Sequence, residues 1–425
     1  MLPKKKKFHK LPDYMELAHL KTLKHKLKLY NTRGHKLVEF KDIQKLGKKL
    51  HSQGKKIVFT TGSFDLLGPG HCRYLAEAKA KGDILLVGVS TDASDAKLKG
   101  SDYPLISEDI RAEMISFLRT VDYVTIIDEY RPHAILSLLQ PDVFFTHENS
   151  WTMGLRDPQE SFIVKSYGGK VFVRPTEVPY FSARLLVEHI ANIRVIQILE
   201  SYLKERVPDF YLDPEKNLKP ADYGPQQPII KEAFNSNNLI VEFDKLKELG
   251  ELLRKKNKKV AFVSGSYDLL HVGHTRFVEQ AGILADVLIV GIPSDFSLRC
   301  SKGLGRPIIS EHARAYVLGH VDQVDFVTVF KDRTIYSSLE ALKPDIFFTV
   351  NESWNSGYKE SPEHKLVKSY GGEVVTAERQ SPFLSSSAII DKMAYRKVME
   401  IFKECMDETR YQKILAEKSK LIKHA

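Results

Sequence analysis

Short apolar runs alternate with helical patterns twice along this chain. In the second half, residues 260–263 form the first run, and Phe277, Val278 and Ala281 follow at helical spacing. Residues 286–291 form another run, and 311–321 repeat the helical pattern. Runs at 326–330, 345–349 and 373–376 complete the set. Near-continuous β-branched strands separated by helices predict a parallel sheet covered on both faces. The expected fold is α/β, with tandem doubly wound, Rossmann-like parallel-sheet domains. Such sheets bind ligands at the carboxyl ends of their strands, where the strand order reverses.

The word tandem rests on a repeat. Thr61-Gly62-Ser63-Phe64-Asp65-Leu66-Leu67 recurs 203 positions later as Ser264-Gly265-Ser266-Tyr267-Asp268-Leu269-Leu270. The same spacing relates Val38-Glu39-Phe40 to Val241-Glu242-Phe243, Lys99-Gly100 to Lys302-Gly303, and Arg111 to Arg314. It also relates Ser166-Tyr167-Gly168-Gly169 to Ser369-Tyr370-Gly371-Gly372. A constant offset means shared loop lengths, hence one fold used twice. The expected division is a basic tail over 1–36, a degenerate first domain over 37–203, and a linker over 204–239. An intact second domain over 240–398 and a basic C-terminal helix over 399–425 follow. Pro208, Pro214, Pro220, Pro225 and Pro228 make the linker extended rather than helical. Apolar-periodic stretches at 195–203 and 398–405 read as helices that close each domain or pack the copies together.

Composition narrows the class. At 425 residues the chain exceeds one ordinary core. The net charge of +10 lies at the ends: residues 1–30 hold nine lysines against Asp13 and Glu16. The last fifteen hold Lys413, Lys418, Lys420 and Lys423 against Glu417. The body between them is near neutral, which argues against a nucleic-acid-binding fold. No apolar run approaches the roughly 18 residues of a membrane span, and the lysine-rich start lacks the core of a secretory signal. Cys72, Cys300 and Cys405 give neither a disulfide framework nor metal-ligand spacing. A cytoplasmic protein is expected, with no protein-held metal site.

The chemistry concentrates between Ser264 and His274. Gly265 permits a tight turn and close approach of a ligand to the backbone, and Gly273 leaves space where a helix begins. A helix N-terminus offers unpaired N–H groups and partial positive charge to phosphate. His271 and His274, three apart, share one face of that first turn. The pair either binds a triphosphate or is two surface histidines at a helix start. Their context, strand then Gly-Ser-Tyr-Asp then helix, favours the triphosphate.

With these residues the chain resembles the HxGH nucleotidyltransferases, the cytidylyltransferase-like superfamily, over nearly all of both repeats. The frame is similar to the heptose-phosphate adenylyltransferases. It shares Val241-Glu242-Phe243, Lys258-Lys259, Lys302-Gly303 with Arg306-Pro307, and Ser385-Ser386-Ser387 with Ile389-Ile390. Ethanolamine-phosphate cytidylyltransferase is similar in pairing an intact copy with an eroded one. The resemblance implies attack of an acceptor phosphate on the α-phosphorus of ATP or CTP, with Mg²⁺ and no covalent intermediate. The acceptor would be a sugar-phosphate or a polyol- or alcohol-phosphate. His271, His274 and Lys302 would be catalytic. Ser264, Gly265, Ser266, Tyr267, Asp268, Gly273, Arg314, Ser385, Ser386 and Ser387 would bind the nucleotide.

Other readings stay open for several of these. Asp268 either touches ligand or caps its turn, Arg314 is equally an internal ion-pair partner, and the serines are otherwise a helix N-cap. Lys302 is otherwise an exposed loop lysine. Trp354 and its equivalent Trp151 read as core rather than stacking residues. Two departures matter. Thr349-Val350-Asn351-Glu352-Ser353-Trp354 replaces the heptose enzymes' Lys-Gly-Gly-Asp-Tyr-like stretch, which argues against a heptose acceptor. Gln380-Ser381-Pro382-Phe383 lacks the arginine that cytidylyltransferases carry before their serine/threonine run, which favours ATP.

The first copy reads Gly68-Pro69-Gly70-His71, with Ser182-Ala183-Arg184 for the triple serine and Tyr103 for Arg306. It is expected to be a non-catalytic partner in an internal pseudo-dimer, or to support a homodimer. The alternative for the whole chain is a nucleotide-binding regulator or scaffold with little turnover.

Overall fold

The computed structural model describes residues 36–100, 103–128, 131–148, 158–175, 192, 194–195, 239–302, 306–332, 334–351, 358–378 and 386–405. Linker residues 204–238, both tryptophans, Ser182-Ala183-Arg184 and Ser385 lie outside them. Residues 36–397 form one compact unit that holds both repeats.

In the first copy the elements run α1 (Ile43–Ser52), β1 (Ile57–Gly62), α2 (Pro69–Lys79), β2 (Ile84–Ser90), α3 (Asp92–Lys99) and α4 (Glu108–Ser116). They continue with β3 (Tyr123–Ile127), α5 (His133–Leu139), β4 (Val143–His147), α6 (Pro158–Ser166) and β5 (Lys170–Arg174). The second copy begins with β6 (Ile240–Val241), α7 (Leu246–Lys255), β7 (Val260–Ser264), α8 (Val272–Gly282), β8 (Val287–Pro293) and α9 (Asp295–Lys302). Then come α10 (Glu311–Gly319), β9 (Phe326–Phe330), α11 (Tyr336–Leu342), β10 (Ile346–Val350), α12 (Pro362–Ser369), β11 (Glu373–Ala377) and α13 (Ser386–Cys405).

The sheets are parallel throughout and ordered β3-β2-β1-β4-β5 and β11-β10-β7-β8-β9-β6. Both are doubly wound as the alternating pattern requires, since β1 and β7 are buried on consecutive residues rather than alternate ones. The order reverses between β1 and β4, and between β7 and β10, so each copy's crevice opens beside its signature turn. The lead-in at Val241 proves to be a sixth strand, β6, with Ile240 in register with Val327. Its counterpart in the first copy is a single bridge from Leu37 to Val124.

The two copies share one apolar core. Leu75, Val87 and Ile115 from the first copy join Val278, Val290 and Leu318 from the second. Each such side chain, fully buried, contributes about 1.5–3 kcal/mol. At the join, the Arg119 amide donates to the His320 carbonyl and the Asp322 amide to the Phe117 carbonyl, both at 2.9 Å. Shifting by 203 turns one bond into the other, so the halves meet through the same patch, like an isologous dimer within one chain.

The final element differs from its sequence reading. One helix runs from Ser386 through Cys405, so the stretch from 398 is its second half rather than a separate element. Ile389, Ile390 and Met393 pack against Leu269 and Ile309 of their own copy and Leu66, Leu105 and Ile106 of the other. Among the described residues no helix is long and apolar enough to cross a membrane.

Candidate active site

The signature turn is built from the end of β7 outward. Ser264 closes the strand and Gly265 follows; a Cβ on Gly265 would come within 2.9 Å of the Tyr267 ring. Tyr267 takes φ +48°, a left-handed conformation costly for a non-glycine residue. Phe64, its counterpart, takes φ +52°. Both copies therefore keep the strained turn that aims the following helix at the crevice.

His271 is the N-cap of α8 in extended conformation, and its side chain does not cap the helix. Gly273 lies in the first turn, and the His274 amide donates to the His271 carbonyl at 2.8 Å. The two imidazoles stack with centroids 3.8 Å apart and planes 24° apart, and the Tyr267 ring lies 5.0 Å from His274. Burial holds the His274 pKa well below 6.5, helped by His271 and Lys302 and opposed by a hydrogen bond to Leu269. His274 is thus neutral at pH 7. Its Nδ1 has no hydrogen-bond partner among the described residues.

Two predicted ligand-binding residues are committed to the scaffold. The buried Asp268 carboxylate accepts from the Ile308 amide at 2.7 Å, the Ile309 amide at 2.9 Å and Arg306 at 2.6 Å. It ties the turn to the 306–309 loop, the capping alternative of its two readings. Arg314 is 1% exposed and bonds the carbonyls of Ile309, Ser266 and Pro293 and the Asp295 carboxylate. It fastens the signature turn, the end of β8 and the start of α9 to one guanidinium.

Lys302, at the end of α9, donates to Ser266 Oγ at 2.6 Å. Partial desolvation lowers its pKa, as do Arg306 and Arg314, while Asp268 opposes them. No carboxylate pairs with it among the described residues. Ser386 and Ser387 open α13.

The first copy carries the same scaffold with different chemistry. Asp65 takes the Leu105 and Ile106 amides at 2.8 Å, and Arg111 repeats the Arg314 bonds to Ile106, Ser63, Ser90 and Asp92. With Gly68 for His271, the Gly68 amide reaches His71 Nδ1 at 3.3 Å, so the atom left unpartnered in His274 is used internally. A further difference escaped the sequence reading: Asp95 stands where the second copy has Leu298. The buried Asp95 carboxylate accepts from Ser63 at 2.5 Å and lies 3.4 Å from Lys99 and 3.3 Å from Arg111. Lys99 and Arg111, the counterparts of Lys302 and Arg314, thus face an acid of the protein's own.

His71 also shapes acid stability. Burial, then Lys99, lowers its pKa to about 4. As pH falls below 6.5 the unfolded chain takes up a proton that the folded chain refuses until about pH 4. Stability is therefore full above pH 6.5 and falls through that window, by up to about 3 kcal/mol from this group. Urea midpoints at pH 7 and 4.5 should drop less for His71→Gln than for the wild type; equal drops would remove His71 as the source.

The cytidylyltransferase-like family model matches residues 59–242 and 262–392. The bifunctional protein HldE of Aliarcobacter butzleri is 41% identical over 143 residues, 33% of this chain and 30% of that protein. HldE of Wolinella succinogenes is 48% identical over 101 residues, 24% of this chain and 21% of that protein. The chain thus spans less than a third of either relative. A lipopolysaccharide core biosynthesis protein from Thermoplasma volcanium aligns structurally at 20% identity and TM-score 0.25, covering 29% of this chain and 98% of that one. With its model matched across both repeats, the chain belongs to the cytidylyltransferase-like family of nucleotidyltransferases.

Proposed function

We propose that the second copy transfers a nucleoside monophosphate, AMP in preference to CMP, to the phosphate of a small sugar- or polyol-phosphate. An acceptor phosphate oxygen attacks the α-phosphorus, its bond to the bridging oxygen breaks, and pyrophosphate leaves. The stacked His271–His274 pair at the start of α8 carries this reading. An arriving triphosphate raises the proton affinity of His274, so Nδ1 changes from acceptor to charge-assisted donor. Lys302, held on Ser266 of the same turn, adds positive charge, and catalysis is positioning plus charge stabilisation.

The family's chemistry calls for a divalent ion, and Mg²⁺ is the one we infer. Among the described residues no group of three His, Cys, Asp or Glu stands ready to hold a metal. Asp268 and Asp295 are already engaged by Arg306 and Arg314. This fits an ion carried on the triphosphate oxygens, since Mg²⁺ takes few protein ligands beside substrate phosphates. When bound it neutralises phosphate charge.

Pyrophosphate release with ATP or CTP and a panel of sugar-, polyol- and alcohol-phosphates tests the reaction. ATP binding without release for any acceptor would favour the regulator reading instead. For base choice, a ligand at a hundredfold excess over its Kd stabilises by about 2.7 kcal/mol. ATP with Mg²⁺ should raise Tm more than CTP with Mg²⁺ at equal concentration; the reverse order would reassign the nucleotide.

A further inference from the structure

Two residues beyond His274, the α8 helix reaches across to the other copy. Arg276 forms a two-point ion pair with Glu113 of α4, Nε to Oε1 at 2.6 Å and a terminal nitrogen to Oε2 at 2.7 Å. The side chains are 13% and 10% exposed. Beside them the buried Thr275 hydroxyl donates to Met114 Sδ at 3.8 Å. The α4 helix is itself fixed by Arg111 to Ser63, Ser90 and Asp92. A planar bidentate pair constrains orientation as well as distance, which a single contact does not.

The repeat supplies its own comparison. Shifted by 203, Arg276 becomes Arg73 and Glu113 becomes Tyr316, and these also meet through a side-chain hydrogen bond. The interface is thus symmetric in position and different in chemistry: where the helix with both histidines meets the other copy through the Arg276–Glu113 ion pair, the matched positions of the first copy hold the Arg73–Tyr316 hydrogen bond. The helix opened by Ser386 and Ser387 is anchored on the same side. Lys392 donates to the Leu105 carbonyl at 2.6 Å, and Asp391 pairs with Arg194 at 2.8 Å.

We propose that Glu113 is a positioning residue for the second copy's site, holding the His274 turn through Arg276. The first copy, its own anion site occupied by Asp95, is then kept as the platform on which the phosphate-facing helices are aligned. This rests on the nucleotidyl-transfer reading. A misplacement of about 1 Å far from the chemistry can cost on the order of a hundredfold in rate, whereas the net stability of a nearly buried ion pair is largely offset by the desolvation of its two charges.

The experiment uses the full chain with Glu113→Gln, the exchange Glu113→Arg with Arg276→Glu, and Arg73→Gln as the symmetry-matched control. It reads kcat, KM for ATP, and the His274 ring titration by NMR. Glu113→Gln should lower kcat between roughly ten- and a hundredfold with little change in KM, and move the His274 titration up toward 6.5. Arg73→Gln should do neither, and the exchange should restore most of the loss. Wild-type kcat and an unmoved His274 titration in folded Glu113→Gln would overturn the proposal, as would an equal kcat loss in Arg73→Gln. If the wild type transfers no nucleotidyl group, the functional reading fails, and the His274 titration alone decides the positioning role.

Discussion

His274→Ala should lower kcat by a hundred- to thousandfold, while His71→Ala leaves it within about threefold of wild type. Losing one preorganised donor to developing charge costs about 3 to 4 kcal/mol. His274 qualifies: it stacks on His271 in the first turn of α8, stays neutral at pH 7, and keeps Nδ1 without a partner among the described residues. His71 has the same backbone position, yet its Nδ1 is taken by the Gly68 amide and Asp95 already neutralises its cations. Its removal changes packing rather than chemistry, typically within about 0.5–3 kcal/mol of stability. Steady-state kinetics on both variants, after circular dichroism shows them folded, makes the check. An equal loss of kcat would make the first copy catalytic.

The buried arginines should behave oppositely, without regard to which copy is catalytic. Arg111→Leu and Arg314→Leu should each cost about 3–5 kcal/mol, because removing one member of a buried charged cluster strands the rest. For Arg314 the stranded groups are three carbonyls and Asp295, whose carboxyl burial already pushes upward in pKa. For Arg111 they are the equivalent carbonyls with Asp92 and the buried Asp95. Urea denaturation of both variants tests this. A loss confined to Arg314→Leu would mean the first copy's scaffold has eroded with its chemistry.

The contrast marks how far the sequence alone reaches. The strand at Phe326–Phe330 was legible to the residue, because five aromatic and β-branched residues between Asp325 and Lys331 are too short for a helix and suit a buried strand. The duplicated fold was legible from a constant offset. What Asp268 and Arg314 do was not, since residue type sets their charge while all but one of their partners lie 19 to 48 positions away. The Glu113–Arg276 pair spans 163 positions, and nothing in the local pattern links its ends. Asp95 against Leu298 was within reach by aligning the copies, as were Gly68 and His271. It lacked only the knowledge that position 95 faces Ser63, Lys99 and Arg111.

The most direct test follows the α-phosphate. The whole 425-residue chain with Mg²⁺, ATP labelled at the α-phosphorus and the panel of phosphorylated acceptors should move label into one acceptor and release one pyrophosphate per transfer. His274→Ala should abolish most of both. Label remaining in ATP with every acceptor, and likewise with labelled CTP, in folded protein that binds the nucleotide, would contradict the account.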